Sequence, residues 1–146
     1  MGSRTRTASA SHRQRAGPVK TKEEPDMPTP KEALQGYIDA WNAGDAEAII
    51  ALFADDAVIV DPYGTPPHEG RDAIRAFYEG GVKTGAKLSL DTPIRGSHGD
   101  RAAMAFTVEL ALEGAAKRIR VIDVMTFDEH GKISRMEAHW GPDDME

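Results

Sequence analysis

The sequence predicts an α+β fold: three N-terminal helices packed in a curved, mostly antiparallel sheet, cone-like in outline. Two observations carry this expectation. Up to Tyr78 three segments carry apolar residues at helical spacing, interrupted by one short strand, and from Leu88 onward the apolar residues alternate with period two. Helices first and consecutive strands after is the segregated pattern of an α+β domain. The size agrees, because 146 residues with 40% hydrophobic and 29% charged content suffice for one domain with a real core.

Residues 1–27 are rich in Ser, Arg and Pro and almost free of large apolar side chains, so a disordered tail is expected there and a folded domain over 28–146. Order begins at the stretch TPKE. Thr29 suits a helix cap, Pro30 its first position, and Glu32 completes a capping box. Leu34, Tyr37, Ile38 and Trp41 form the apolar stripe of this helix, and Gly44 ends it. Asp45 caps a second helix with Ile49, Ile50, Leu52 and Phe53 on its apolar side, and Asp55-Asp56 is expected to end it. AVIVDPYG reads as a short strand running into a turn. GRDAIRAFYEGG is a third helix, with Ile74, Phe77 and Tyr78 on one stripe. Leu88 and Leu90 mark a strand, and Met104, Phe106, Val108, Leu110 and Leu112 mark a longer one that closes at Glu113-Gly114. The strand RVIDVMTF follows, then the turn DEHG. Last comes KISRMEAHW, where Met136, Ala138 and Trp140 share a face.

Composition narrows the function. The chain has no cysteine, which excludes disulfides, thiolate catalysis and cysteine-based zinc sites. Residues 1–27 carry six Lys/Arg against three acids, and the remainder carries twelve against twenty-one. So acidic a body argues against nucleic acid as a ligand. No apolar run approaches a membrane span and no signal-peptide core is visible, so a cytoplasmic protein is expected. His68, His98 and His130 fall in loop-like stretches at spacings that make no metal pattern, and are expected to be solvated. No glycine-rich phosphate loop occurs. Neither a metal nor a cofactor is expected.

Three polar groups stand where core residues belong. In RVIDVMTF, Ile119, Val121, Asp123, Met125 and Phe127 share one face, so Asp123 lies on the apolar side of its strand. Burying an ionised carboxylate without a partner is so costly that the group takes up a proton instead. Asp61 ends the Val58–Val60 strand, and Tyr37 lies on the buried stripe of the first helix. Each has a purely structural reading: Asp before Pro opens turns, and a core Tyr needs only a partner for its hydroxyl. Together they suit one reaction class. A neutral carboxyl and a tyrosine hydroxyl can both donate to a developing enolate oxygen, while an ionised carboxylate takes a proton from the adjacent carbon. That chemistry is proton abstraction α to a ketone in a small apolar ligand.

The segments YIDAWNAGDAEAIIALFADDAVIVDPYGTPPHEGRDAIRAFY and VIDVMTFDEHGKI resemble the bacterial Δ5-3-ketosteroid isomerase family, over nearly all of residues 29–141. That family lies in a wider superfamily of cone-shaped α+β proteins that includes polyketide cyclases and scytalone dehydratase. It is also the standing example of a carboxylic acid held neutral so that it donates a hydrogen bond. The resemblance implies Asp61 as general base, and Tyr37 and Asp123 as oxyanion hole. It further implies Tyr78 as a partner of Tyr37, and an apolar pocket of Phe106, Val108, Ile119, Val121, Met136 and Trp140. A homodimer without cofactor that isomerises 3-oxo-Δ5-steroids to their Δ4 isomers is the expectation. A related cyclase or dehydratase acting on another apolar ketone, or a non-catalytic binding domain, are the alternatives. Val60, Phe53 and His139 depart from the family pattern, and are expected to tune the pocket more than the catalytic trio.

Overall fold

The computed structural model describes residues 27–146. The tail expected over 1–27 lies outside the described residues except for Met27, which is half-exposed. Helix α1 spans Pro30–Asn42 and α2 spans Ala46–Ile50. Strand β1 (Phe53–Val60) and the two-residue β2 (His68–Glu69) precede α3 (Gly70–Lys83). Strands β3 (Lys87–Leu90), β4 (Arg101–Leu112), β5 (Ala115–Phe127) and β6 (Ile133–His139) follow, with a short 3-10 turn at Pro142–Asp144. The strands form one curved, unclosed sheet in the order β2-β1-β6-β5-β4-β3. Every neighbouring pair is antiparallel except β1 and β6, which run parallel.

Local chemistry explains these elements. Thr29 accepts from the Glu32 amide at 3.1 Å and its own amide donates to Glu32 at 2.9 Å, so two orphan donors of α1 are satisfied reciprocally. Gly44 adopts φ +68°, the left-handed conformation that stops α1. The long β4–β5 hairpin alternates strictly: Ala102, Met104 and Phe106 face the core with Ile119, Val121, Asp123 and Met125, while Arg120 and Ile122 face outward. Asn42 ties the end of α1 to β3, donating to the Leu88 carbonyl at 2.9 Å and accepting from the Leu88 amide at 2.7 Å.

Three sequence expectations need correction. Phe53 is the first residue of β1, not part of the second helix, which is only five residues long. Asp55 and Asp56 lie within β1 and do not end a helix. Both are exposed, and the β1–β6 register shifts between Phe53 and Val58, so the period-two signal is lost there. Asp55 pairs with Arg71 of α3. Finally, His68 belongs to β2. It is half-buried with its ring against Phe77, centroids 4.8 Å apart. Two residues of strand are too few to show a period.

Candidate active site

The concave face of the sheet and the helices enclose a cavity of about 240 Å³. Its walls are almost entirely apolar: Phe106, Val108 and Leu110 from β4, Ile119 and Val121 from β5, Phe77 and Gly81 from α3, Trp41 from α1, and Thr84, Ala86 and Leu88 around the start of β3. Tyr37, Asp61, Asp123 and Trp140 complete it.

Topology brings these polar groups together. Asp123 sits opposite Met104 on β4 and Ala138 on β6, so its flanking residues across the sheet are apolar. It is 1% exposed, and its Oδ1 has no hydrogen-bond partner among the described residues. The arginines of β5 point to the other face, where Arg118 pairs with Glu109 and Arg120 with Glu146. Burial therefore drives the Asp123 carboxyl well above the usual carboxylate range, and the nearby Asp61 charge pushes it further the same way.

Asp61 follows β1, and Trp140 follows β6. Because those two strands are parallel, both residues emerge at the same end of the sheet. The Trp140 indole donates to Asp61 Oδ1 at 3.0 Å, and the Tyr63 amide secures the following turn on the Ala138 carbonyl at 2.7 Å. Burial raises the Asp61 pKa. The Trp140 hydrogen bond and the neighbouring His68 oppose that rise. Tyr37, on the core face of α1, shares a 3.0 Å hydroxyl–hydroxyl hydrogen bond with Tyr78 of α3. Desolvation lifts both phenols well above their ordinary pKa, so both are neutral donors across the physiological range.

Of the residues expected to line a pocket, Phe106, Val108, Ile119, Val121 and Trp140 do so, whereas Met136 lies outside the lining. Met136 is fully buried between Ile59 and Met125, because it shares the inner face of β6 with Ala138 deep in the sheet. Val60, Phe53 and His139 do not line the cavity either. His139 stacks on Tyr63, centroids 5.4 Å apart and half-exposed, while Phe53 packs against Tyr78 at 5.4 Å. Trp41, Phe77, Gly81, Thr84, Ala86, Leu88 and Leu110 were not anticipated as lining. The helical stripe of Trp41 and Phe77 marks them as buried, but burial does not distinguish core from cavity wall.

A cone of three helices and a curved sheet around an apolar cavity that holds one buried and one half-buried carboxyl group defines a class of small-molecule enzymes and binding proteins. The chain belongs to the SnoaL-like domain family, whose profile matches residues 34–136. It is 40% identical over 115 residues to a steroid Delta-isomerase of Nocardioides simplex, covering 79% of this chain and 92% of that protein. It is 33% identical over 118 residues to the epoxide hydrolase LasB of Streptomyces lasalocidi, spanning 42% of that longer protein. Among solved structures, the epoxide hydrolase/cyclase-like enzyme SalBIII, described in pyran ring formation in the polyether salinomycin, superposes with a TM-score of 0.74. That match has 30% identity and covers 80% of this chain and 93% of that one. These relatives are enzymes. No helix among the described residues is long and apolar enough to cross a membrane.

Proposed function

We propose that the protein is a steroid Delta-isomerase that moves a double bond into conjugation without a cofactor. The ionised Asp61 carboxylate takes a proton from the α-carbon of a 3-oxo-Δ5-steroid. The electrons of that C–H bond pass into a dienolate. Tyr37 and protonated Asp123 donate hydrogen bonds to the dienolate oxygen. Asp61 then returns the same proton to the γ-carbon, giving the Δ4 ketone and restoring the carboxylate. Tyr78 holds the Tyr37 hydroxyl in place.

The observation that carries this reading is the Asp123 carboxyl, 1% exposed, with no hydrogen-bond partner on Oδ1 and no cation beside it among the described residues, and an apolar cavity in front of it. A structural ion pair would supply a partner, and a merely apolar binding pocket has no use for a buried carboxyl. The test is an absorbance assay for conjugated enone from an unconjugated ketosteroid, run on the purified protein. Catalytic turnover supports the proposal. A protein that binds the steroid but leaves it unconjugated refutes it.

The epoxide hydrolase and cyclase relatives favour a second reading. Asp123 as acid and Asp61 as base would suit opening of an epoxide by a hydroxyl or water. The two readings separate on substrate, an epoxide lacking any enolisable ketone being turned over only under the second. Under the first reading we further propose a homodimer in the cytoplasm. The family resemblance supports the dimer, and sedimentation of a single monomeric species in an ultracentrifuge would refute it.

A further inference from the structure

Two buried side-chain polar atoms have no hydrogen-bond partner among the described residues: Asp123 Oδ1 and Trp41 Nε1. The first is absorbed by the proposed reaction. The second is not. An indole N–H is a donor only, and buried donors in folded proteins are nearly always satisfied, so an exception calls for an explanation.

Its position supplies one. Trp41 is one helical turn beyond Tyr37 on the same face of α1, with ring centroids 6.4 Å apart in an edge-on arrangement. Both rings line the cavity, as does Asp123. Trp41 is nine-tenths buried, and no acceptor among the described residues meets its N–H with hydrogen-bond geometry, although the Tyr37 oxygen lies near enough to feel it. The fold also makes room for this particular side chain. At Gly81 of α3, an added Cβ would meet Trp41 Cη2 at 2.5 Å, so a larger residue there would displace the indole. A buried phenylalanine or leucine would fill apolar volume without leaving a donor unpaired.

We propose that Trp41 is a third hydrogen-bond donor to the ligand, its indole N–H aimed at the same oxygen that Tyr37 and Asp123 hold. This rests on the isomerase reading of the site and deepens it. An oxygen gaining negative charge presents three lone pairs, and three donors then meet it: a phenol, a neutral carboxyl and an indole. Against the larger effect of burial, the Trp41 N–H pulls the Tyr37 pKa down, so the indole is near the Tyr37 oxygen. The consequence is selectivity for planar ligands whose oxygen carries negative charge, such as enolates and phenolates, over neutral hydrocarbons of the same shape.

The experiment uses the full chain with 2-naphthol as an enolate mimic and naphthalene as its oxygen-free control. Trp41→Phe should weaken 2-naphthol binding about threefold to tenfold, the usual effect of one hydrogen bond, and leave naphthalene nearly unchanged. In the unmodified protein, 15N-indole spectra contain only two tryptophans, Trp41 and Trp140. The Trp41 indole proton should move downfield with 2-naphthol and stay put with naphthalene. Equal loss of both ligands in Trp41→Phe, or an indole signal that ignores 2-naphthol, overturns the proposal. If Tyr37→Phe still weakens 2-naphthol in that case, the oxyanion reading survives without Trp41. If neither Tyr37→Phe nor Asp123→Leu affects 2-naphthol, the site reading itself falls.

Discussion

Asp61 and Asp123 carry the same side chain to the same cavity from two differently built regions. Asp61 hangs from the end of β1, partly open to solvent, with an indole donor on one oxygen and His68 nearby. Asp123 is embedded mid-strand in β5 with neither. Burial raises both, but only Asp61 has groups that pull its pKa back down. Where a carboxyl is placed in the fold therefore sets how strongly its charged form is disfavoured, and the proposed roles, Asp61 as base and Asp123 as neutral donor, follow that difference.

The largest expected effect comes from removing the proposed base. Asp61→Asn keeps shape but accepts no proton, and turnover should fall by at least about 10²–10⁴-fold. Circular dichroism and steroid binding should be unchanged. Near-native activity would reduce Asp61 to a turn residue. Tyr37→Phe should follow, slowing the chemical step by about 10²–10³-fold with a much smaller change in substrate affinity. A loss of stability without a kinetic effect would instead make Tyr37 a core residue.

For Asp123, the proposed neutral donor, activity and stability should part company. Asp123→Leu should slow turnover by about 10²-fold or more, while Asp123→Asn, still a neutral donor, should retain much of the rate. The urea midpoint of Asp123→Leu should hold or rise, because an unpartnered polar group leaves an apolar face. The pH dependence has a definite sign. A carboxyl whose folded pKa is raised binds more protons in the folded state, so its contribution to stability falls as pH rises from the unfolded value, about 3.9, towards the raised folded one. The unmodified protein should therefore lose stability relative to Asp123→Asn as pH rises above about 4, and paired urea titrations from pH 4 to 8 read the difference. A gain on that path would mean an ionised, paired Asp123.

The smallest effect sharpens the contrast. Trp140→Phe removes the donor that restrains Asp61, so the acid limb of kcat/KM should move to higher pH, with only a few-fold loss at the plateau. An unmoved limb would show that solvent, not Trp140, keeps Asp61 ionised.

The helices with clear caps and stripes, and the long β4–β5 hairpin, were legible because their periodicity is uninterrupted over many residues. So was the anomaly of Asp123, since a period of two assigns it to the apolar face by counting alone. The Asp55-Asp56 region was misread because a register shift erases that count, and His68 because two residues of strand leave no pattern.

What the sequence by itself determined was the order of elements, the core faces, and three polar residues placed where apolar ones belong. Those are consequences of local spacing and of the cost of burying charge. The tertiary structure alone decided which core-facing residues border empty space and which merely fill it. Met136 and Trp41 both read as buried, yet one packs between strands and the other faces the cavity. It also decided that Trp140 reaches Asp61, because that contact depends on β1 and β6, distant in the chain, lying side by side and parallel. Long-range pairing carries no local periodicity, so only the folded chain reveals it.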